Sequence, residues 1–223
     1  MPNHMTPPIR LIYSTLLSFF LLNAVAQGQD FAITPTQKIA LFNGKDLNGW
    51  SGREDTWKVH HGAIVGGDKT TIQPKNEFLC TTSAYKNYEL ELEFKIKGYE
   101  GFINAGVQFH SERLANPSNE MKGFQADIGS DCMGSLYDES RRDKYLAKVD
   151  QQQVRIKKGW NRYKIICREN TITLFINDKQ TITYSELEAT IPLAGKIGLQ
   201  IHGGGVLEVF YKHIVIKPLP LLR

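Results

Sequence analysis

Residues 88–97 alternate without a break, with Tyr88, Leu90, Leu92, Phe94 and Ile96 on one side and Glu89, Glu91, Glu93, Lys95 and Lys97 on the other. A period of two sends successive side chains to opposite faces of an extended chain, so this segment is a half-buried strand. Comparable patterns over 102–110, 122–128, 160–168, 171–176, 180–184, 195–202 and 206–216 predict partners for it. Arg168-Glu169-Asn170 and Asn177-Asp178-Lys179 supply compact turns between them. Residues 138–149 alone suit a short helix, or else a loop. Antiparallel strands joined by turns, each with one apolar face, predict an all-β fold of two packed sheets.

Three of these strands carry polar pairs at i and i+2: Gln108 and His110, Gln125 and Asp127, Gln200 and His202. Each pair shares a face, while Val107 and Phe109, Phe124, Ala126 and Ile128, and Leu199 and Ile201 point the other way. A merely solvated face carries Lys, Glu and Thr, as the run from Glu89 to Glu93 does. Imidazoles, amides and a carboxylate gathered on one face predict a binding or reaction surface.

The N-terminus sets the expected compartment. Arg10 precedes an apolar stretch over 11–25, and Ala24-Val25-Ala26 offers small residues to a signal peptidase, which predicts a signal peptide over 1–26 and a periplasmic or secreted protein. The stretch is shorter than the ~20 residues of a spanning helix and is interrupted by Ser14, Ser18 and Asn23, so no membrane association is expected after its removal. A leader over 27–38 and one domain over 39–223 follow. The net charge of +4, without a basic block, gives no reason to expect a nucleic-acid partner. Cys80, Cys132 and Cys167 fit no zinc spacing; Cys80 and Cys167 suit buried strands, and Cys132 an exposed Gly-rich stretch.

Several motifs occur in order along the chain: Leu41-Phe42-Asn43-Gly44-Lys45-Asp46-Leu47-Asn48-Gly49-Trp50, Trp57, Asn104-Ala105-Gly106-Val107-Gln108-Phe109-His110, Gly123-Phe124-Gln125-Ala126-Asp127, Gly159-Trp160-Asn161, Asn177-Asp178, and Gly198-Leu199-Gln200-Ile201-His202-Gly203. Together they resemble the 3-keto-disaccharide hydrolase family over residues 39–217. The resemblance implies a concanavalin A-like jelly-roll sandwich acting on glycosides whose C3 hydroxyl has been oxidised to a ketone. It also implies a sugar 3-dehydrogenase upstream. Leu136-Tyr137-Asp138-Glu139-Ser140-Arg141-Arg142 resembles one branch of that family. Many members place a carboxylate where Gln125 stands and an amide where Asp127 stands, so the position of the acid or base differs here.

A ketone at C3 acidifies the hydrogen on C2. Its removal gives an enolate that expels the glycosidic oxygen from C1, and water can later add to the enone. Such a reaction needs a base near C2, a donor for the enolate oxygen and an acid for the departing oxygen. The pair of carboxylates used in direct glycoside cleavage is not required. His202 is the leading candidate base, with Gln200 orienting the substrate and Gly203-Gly204-Gly205 keeping side chains away from the sugar. Asp127 is a general acid, a base, or the group that orients a histidine; the competing reading is a structural carboxylate holding an arginine. His110 and Gln108 flank the site in this reading, with Gln125 beside Asp127. Arg113 either meets a developing charge or is a solvated loop residue. In the cluster Asp138, Glu139, Arg141, Arg142, Asp143 and Lys144, Glu139 is a candidate proton donor and Arg141 a candidate enolate donor; the alternative is a self-paired surface segment. Tyr137 is a candidate stacking platform. His60, His61 and His213 have no such company and suit surface or structural places.

No cofactor is required by the sequence. A divalent metal remains open, because His110, Asp127 and His202 form a recognised ligand set if the fold joins them. Two rival functions also remain open: a non-catalytic carbohydrate-binding sandwich, and an ordinary endoglucanase. The second lacks its Glu-x-Asp-x-x-Glu strand, since residues 89–94 read Glu-Leu-Glu-Leu-Glu-Phe.

Overall fold

A computed structural model describes residues 37–221 together with Met1; the expected signal peptide and most of the leader lie outside the described residues. In chain order the strands are β1 (Ile39–Ala40), β2 (Trp50–Ser51), β3 (Trp57–His60), β4 (Ala63–Gly67), β5 (Glu77–Thr81), β6 (Tyr88–Gly101), β7 (Asn104–Arg113), β8 (Met121–Gly129), β9 (Leu136–Glu139) and β10 (Lys144–Ala147). A single 3-10 turn at Gln151–Gln153 precedes β11 (Asn161–Arg168), β12 (Thr171–Ile176), β13 (Lys179–Ser185), β14 (Lys196–Ile201) and β15 (Gly205–Pro218). The described residues contain no α-helix.

These strands form two antiparallel sheets. One runs β13-β12-β11-β6-β15-β4-β3, with β1 beside β15, and the other runs β10-β9-β8-β7-β14-β5-β2. The alternation at residues 88–97 does what its period requires: Tyr88, Leu90, Leu92 and Phe94 are buried, and the intervening glutamates are only partly covered. Between the sheets these side chains meet Val107, Phe109, Phe124, Ala126, Leu199 and Ile201 from the opposite layer. Asn177 and Asp178, with φ of +48° and +70°, make the two-residue turn between β12 and β13, a left-handed conformation that Asn and Asp tolerate.

Two tyrosines of the first sheet reach across the core to the backbone of the second. Tyr211 Oη donates to Gln200 O at 3.0 Å and lies 3.1 Å from Gly106 O, and Tyr163 Oη donates to Asp127 O at 3.5 Å. A buried phenol needs a partner, and these find theirs beneath the strands that carry the polar pairs.

Three expectations are corrected. Residues 138–149 form the β9–β10 hairpin instead of a helix or loop, because Ser140 and Asp143 both adopt positive φ (+51° and +47°) and turn the chain back. Cys132 is buried, not exposed; all three cysteines are buried and free. The charged cluster at 138–144 is not a surface segment throughout, since Asp138 is fully buried beneath Arg141 and Arg142.

Candidate functional site

Strand pairing sets Gly198, Gln108, Gln125 and Tyr137 in one cross-strand row, and Gln200, Gly106 and Asp127 in the next. All face away from the core. Gln200 Nε2 on β14 nevertheless donates to Glu139 Oε2 on β9 at 3.4 Å, although β7 and β8 lie between these strands. Side chains of this length meet across so many strands only on a strongly concave face.

Within this hollow Phe102, Asn104, Gln125, Asp127, Tyr137, Glu139, Tyr145 and His202 line a cavity of about 270 Å³. Its floor depends on a glycine. A Cβ on Gly106 would lie 2.7 Å from Gln125 Cδ, so the Gln125 side chain lies across β7 only because Gly106 has none.

Gln125 is the third member of a directed relay. Ser111 Oγ donates to Gln108 Oε1 at 2.5 Å, Gln108 Nε2 to Gln125 Oε1 at 3.2 Å, and Gln125 Nε2 to Asp127 Oδ1 at 2.9 Å. All four residues are buried. Because Oδ1 accepts the last N–H, a proton on Asp127 belongs on Oδ2.

Burial pushes the Asp127 carboxyl up to about 7, against hydrogen bonds from Gln125, Cys132 and Tyr145 that favour its ionised form. Burial also pushes Glu139 up to about 7, with the negative charges of Glu120, Asp127 and Asp143 adding to the effect. Two carboxyls in one hollow thus exchange protons near neutrality, the property expected of acid–base groups. Gln200 is fully buried and its Oε1 has no partner among the described residues. Rotation of that amide would let it accept the proton of a neutral Glu139. Burial raises the Tyr137 and Tyr145 phenols, which keeps both available as neutral donors.

His202 follows the end of β14 on the opposite wall. Its backbone N–H bonds Asn104 O at 3.1 Å, and its Nδ1 lies 2.7 Å from Gly203 O. A carbonyl only accepts, so Nδ1 carries the hydrogen and Nε2 of the neutral ring keeps a free lone pair. Gly203 and Gly205, two of the three glycines after it, have a different role from that expected. A Cβ on Gly203 would lie 2.5 Å from Lys75 Cα, and one on Gly205 would collide with Phe102 O, so they let loops approach closely instead of clearing space for a sugar.

Other expected site residues lie elsewhere. The pairing of β7 with β8 slips between Phe109 and Glu112, and His110 takes φ +45° there. This bulge turns His110 into the core against Tyr88, with Nε2 2.7 Å from Lys86 O, and burial pushes its pKa down to about 4. Ser111 replaces it on the concave face. His110 therefore joins neither the acid–base groups nor a metal set with Asp127 and His202. Among the described residues, no group of three His, Cys, Asp or Glu side chains is placed to hold a metal ion.

Arg113 is neither a solvated charge nor a site residue. Its Nη2 donates to Phe78 O at 2.5 Å and its Nη1 to Ser118 O at 2.8 Å, which ties β7 to β5 and to the following loop. Arg141 lies at the rim between the sheets, with Nε 2.8 Å from Asp138 Oδ1 and its guanidinium 4.6 Å from the Phe124 ring. Arg142 pairs with Asp138 and Glu186 in the same network. His60 and His61 contact each other, and His213 lies 3.3 Å from Glu93, away from the hollow.

Four lining or relay residues went unrecognised in the sequence. Asn104 begins β7 and Phe102 precedes it, Tyr145 comes from the β9–β10 hairpin where the sequence suits a helix or loop, and Ser111 occupies its place only because of the bulge. The alternation of Tyr137 with Glu139 was the available signal for the hairpin.

The fold recurs among solved structures. A candidate glycosyl hydrolase from Parabacteroides distasonis superposes with a TM-score of 0.63 at 21% identity, covering 82% of this chain and all (100%) of that one. A carbohydrate-binding module, CBM66, from Bacillus subtilis gives 0.59 at 13% identity, covering 74% and 93%. A Bacillus licheniformis β-glucanase gives 0.51 at 12% identity, covering 83% and 98%. These likenesses establish the jelly-roll sandwich alone. No curated protein matches the chain in sequence. The family model of the 3-keto-α-glucoside-1,2-lyase-like domain matches residues 37–217, nearly the whole described chain, and the protein belongs to that family.

Proposed function

We propose that the protein cleaves 3-keto-glucosides by removing the C2 proton and eliminating the glycosidic oxygen from C1. The observation that carries this reading is the pairing of two carboxyls poised near pH 7, Asp127 and Glu139, with a histidine on the facing wall whose Nε2 is free. His202 Nε2 takes the C2 proton, and the C2–H electrons form the enolate with C3. That enolate then collapses, re-forming the C3 ketone, making the C1–C2 double bond and breaking the C1–O bond. A neutral Asp127 or Glu139 protonates the departing oxygen. Tyr137 and Tyr145 are donors for the enolate oxygen, whose charge appears only after the proton has left. Substrate supply requires prior oxidation at C3 by a sugar 3-dehydrogenase, and the signal peptide expected over 1–26 supports a periplasmic or secreted setting.

A binding module of similar fold is the second reading, favoured by the likeness to CBM66. The test is to incubate the purified chain with a 3-keto-glucoside and with its unoxidised parent, following aglycone release and C2 exchange in D₂O. Release from the keto compound alone, abolished in His202→Ala, supports the elimination. Binding of either sugar without release or exchange overturns it in favour of the binding module.

A further inference from the structure

We infer that Phe102 is a stacking platform for the leaving group, making the protein selective for 3-keto-glucosides whose aglycone is itself a ring, either a second sugar or an aryl group. This rests on the elimination reading of the same site. Phe102 lines the cavity yet is 54% exposed, one of the few large apolar side chains so placed.

The exposure does not come from a loose loop. Phe102 N–H bonds Gly204 O at 3.0 Å, and Gly101 and Gly204 hold φ of +73° and +89° to bring the two turns together. A Cβ on Gly101 would collide with Gly204 O, so the contact excludes any larger residue. The glycine pairing fixes an apolar ring at the lip of a polar hollow.

The geometry also indicates what the ring meets. Phe102 and the His202 imidazole stand 4.8 Å apart at 75°, so the two do not stack on one another. Tyr137 and Tyr145 close the far side with their own edge-on pair, 5.1 Å apart. At about 270 Å³ the enclosed part of the hollow lies just under the usual range of ligand sites and has room for about one sugar ring, and its mouth is open. A second ring therefore extends past the lip, where Phe102 offers an aromatic surface to the apolar C–H face of a sugar or to an aryl plane.

The experiment compares kcat/KM for 3-keto-glucosides bearing glucosyl, phenyl and methyl aglycones, in wild type, Phe102→Ala and Phe102→Tyr. The readout is the preference for ring over methyl aglycones, a ratio that cancels any general damage to the site. Phe102→Ala should lower it about 3- to 10-fold, and Phe102→Tyr should keep it. An unchanged ratio in Phe102→Ala overturns the platform even if activity falls. If wild type cleaves none of these compounds, the elimination reading fails instead. The platform is then judged by calorimetric binding of the unoxidised disaccharide and methyl glucoside. Weaker disaccharide binding in Phe102→Ala supports it, and equal binding overturns it.

Discussion

Replacing Gln125 with leucine removes the last donor of the relay without greatly changing volume. The bond lost is the 2.9 Å contact from Gln125 Nε2 to Asp127 Oδ1, which favours the ionised carboxylate. Hydrogen bonds to charged groups contribute roughly 1.5–3 kcal/mol, and one pKa unit corresponds to about 1.4 kcal/mol. Asp127 should therefore rise by about one to two units from its position near 7. The direction is upward because the charged form loses its support. In the pH dependence of kcat/KM on a 3-keto-glucoside, the limb belonging to Asp127 moves to higher pH. That limb is the alkaline one if Asp127 acts as an acid and the acidic one if it acts as a base, so the experiment also assigns the role. Carbon-detected NMR of the labelled carboxyl reads the same shift without turnover. A carboxyl that stays in place or titrates at lower pH in Gln125→Leu would refute the argument that the relay tunes Asp127.

The same carboxyl has a consequence for stability. Its folded pKa is raised, so its contribution is fully present below the unfolded value near 4 and is lost as pH climbs through about 7. Asp127→Asn should thus gain little at pH 4 and up to about 4 kcal/mol at pH 8, measured by urea unfolding at both; an equal gain at the two pH values contradicts the linkage. In the exchanged pair Gln125→Glu with Asp127→Asn, the introduced carboxylate can accept both from Gln108 and from the amide now at position 127. The double variant should recover turnover relative to Asp127→Asn alone, and failure to recover would show that the two positions are not equivalent. Gly123 has φ +146°, and a Cβ there would collide with Ser111 Oγ, so Gly123→Ala should destabilise by about 1–3 kcal/mol and disturb the relay; an unchanged melting midpoint and pH profile would contradict this.

Much of the fold was legible because period-two burial is a local property: the strand at residues 88–97 and the turn at Asn177-Asp178 follow from sequence and backbone preference alone. The concave face was legible for the same reason, since Gln108, Gln125, Asp127 and Gln200 keep their parity along uninterrupted strands. His110 did not, because one bulged residue reverses every assignment beyond it and its sequence signature is weak. Arg113 was misplaced for a different reason. A long cationic side chain takes its partner from whatever carbonyl the tertiary structure brings near, and no local pattern encodes Phe78 O as that partner. Arg141, by contrast, pairs with Asp138 three residues before it, the local self-pairing that the sequence offered as the alternative. Glu139 became a strong candidate only when the β9–β10 hairpin brought it opposite Gln200.

Enzymes with α-helices often aim a helix N-terminus at the place where negative charge must be accommodated. The described part of this protein has no α-helix to use. The row Ser111, Gln108, Gln125 supplies a substitute made of side chains, in which a hydroxyl and two amides are aligned head to tail with their positive ends toward Asp127. Reversing one amide alone would set donor against donor, so the two amides keep a common polarity. A β-sandwich can in this way direct a fixed field at a reacting group, with the pleat of the sheet providing the alignment that helical winding provides elsewhere.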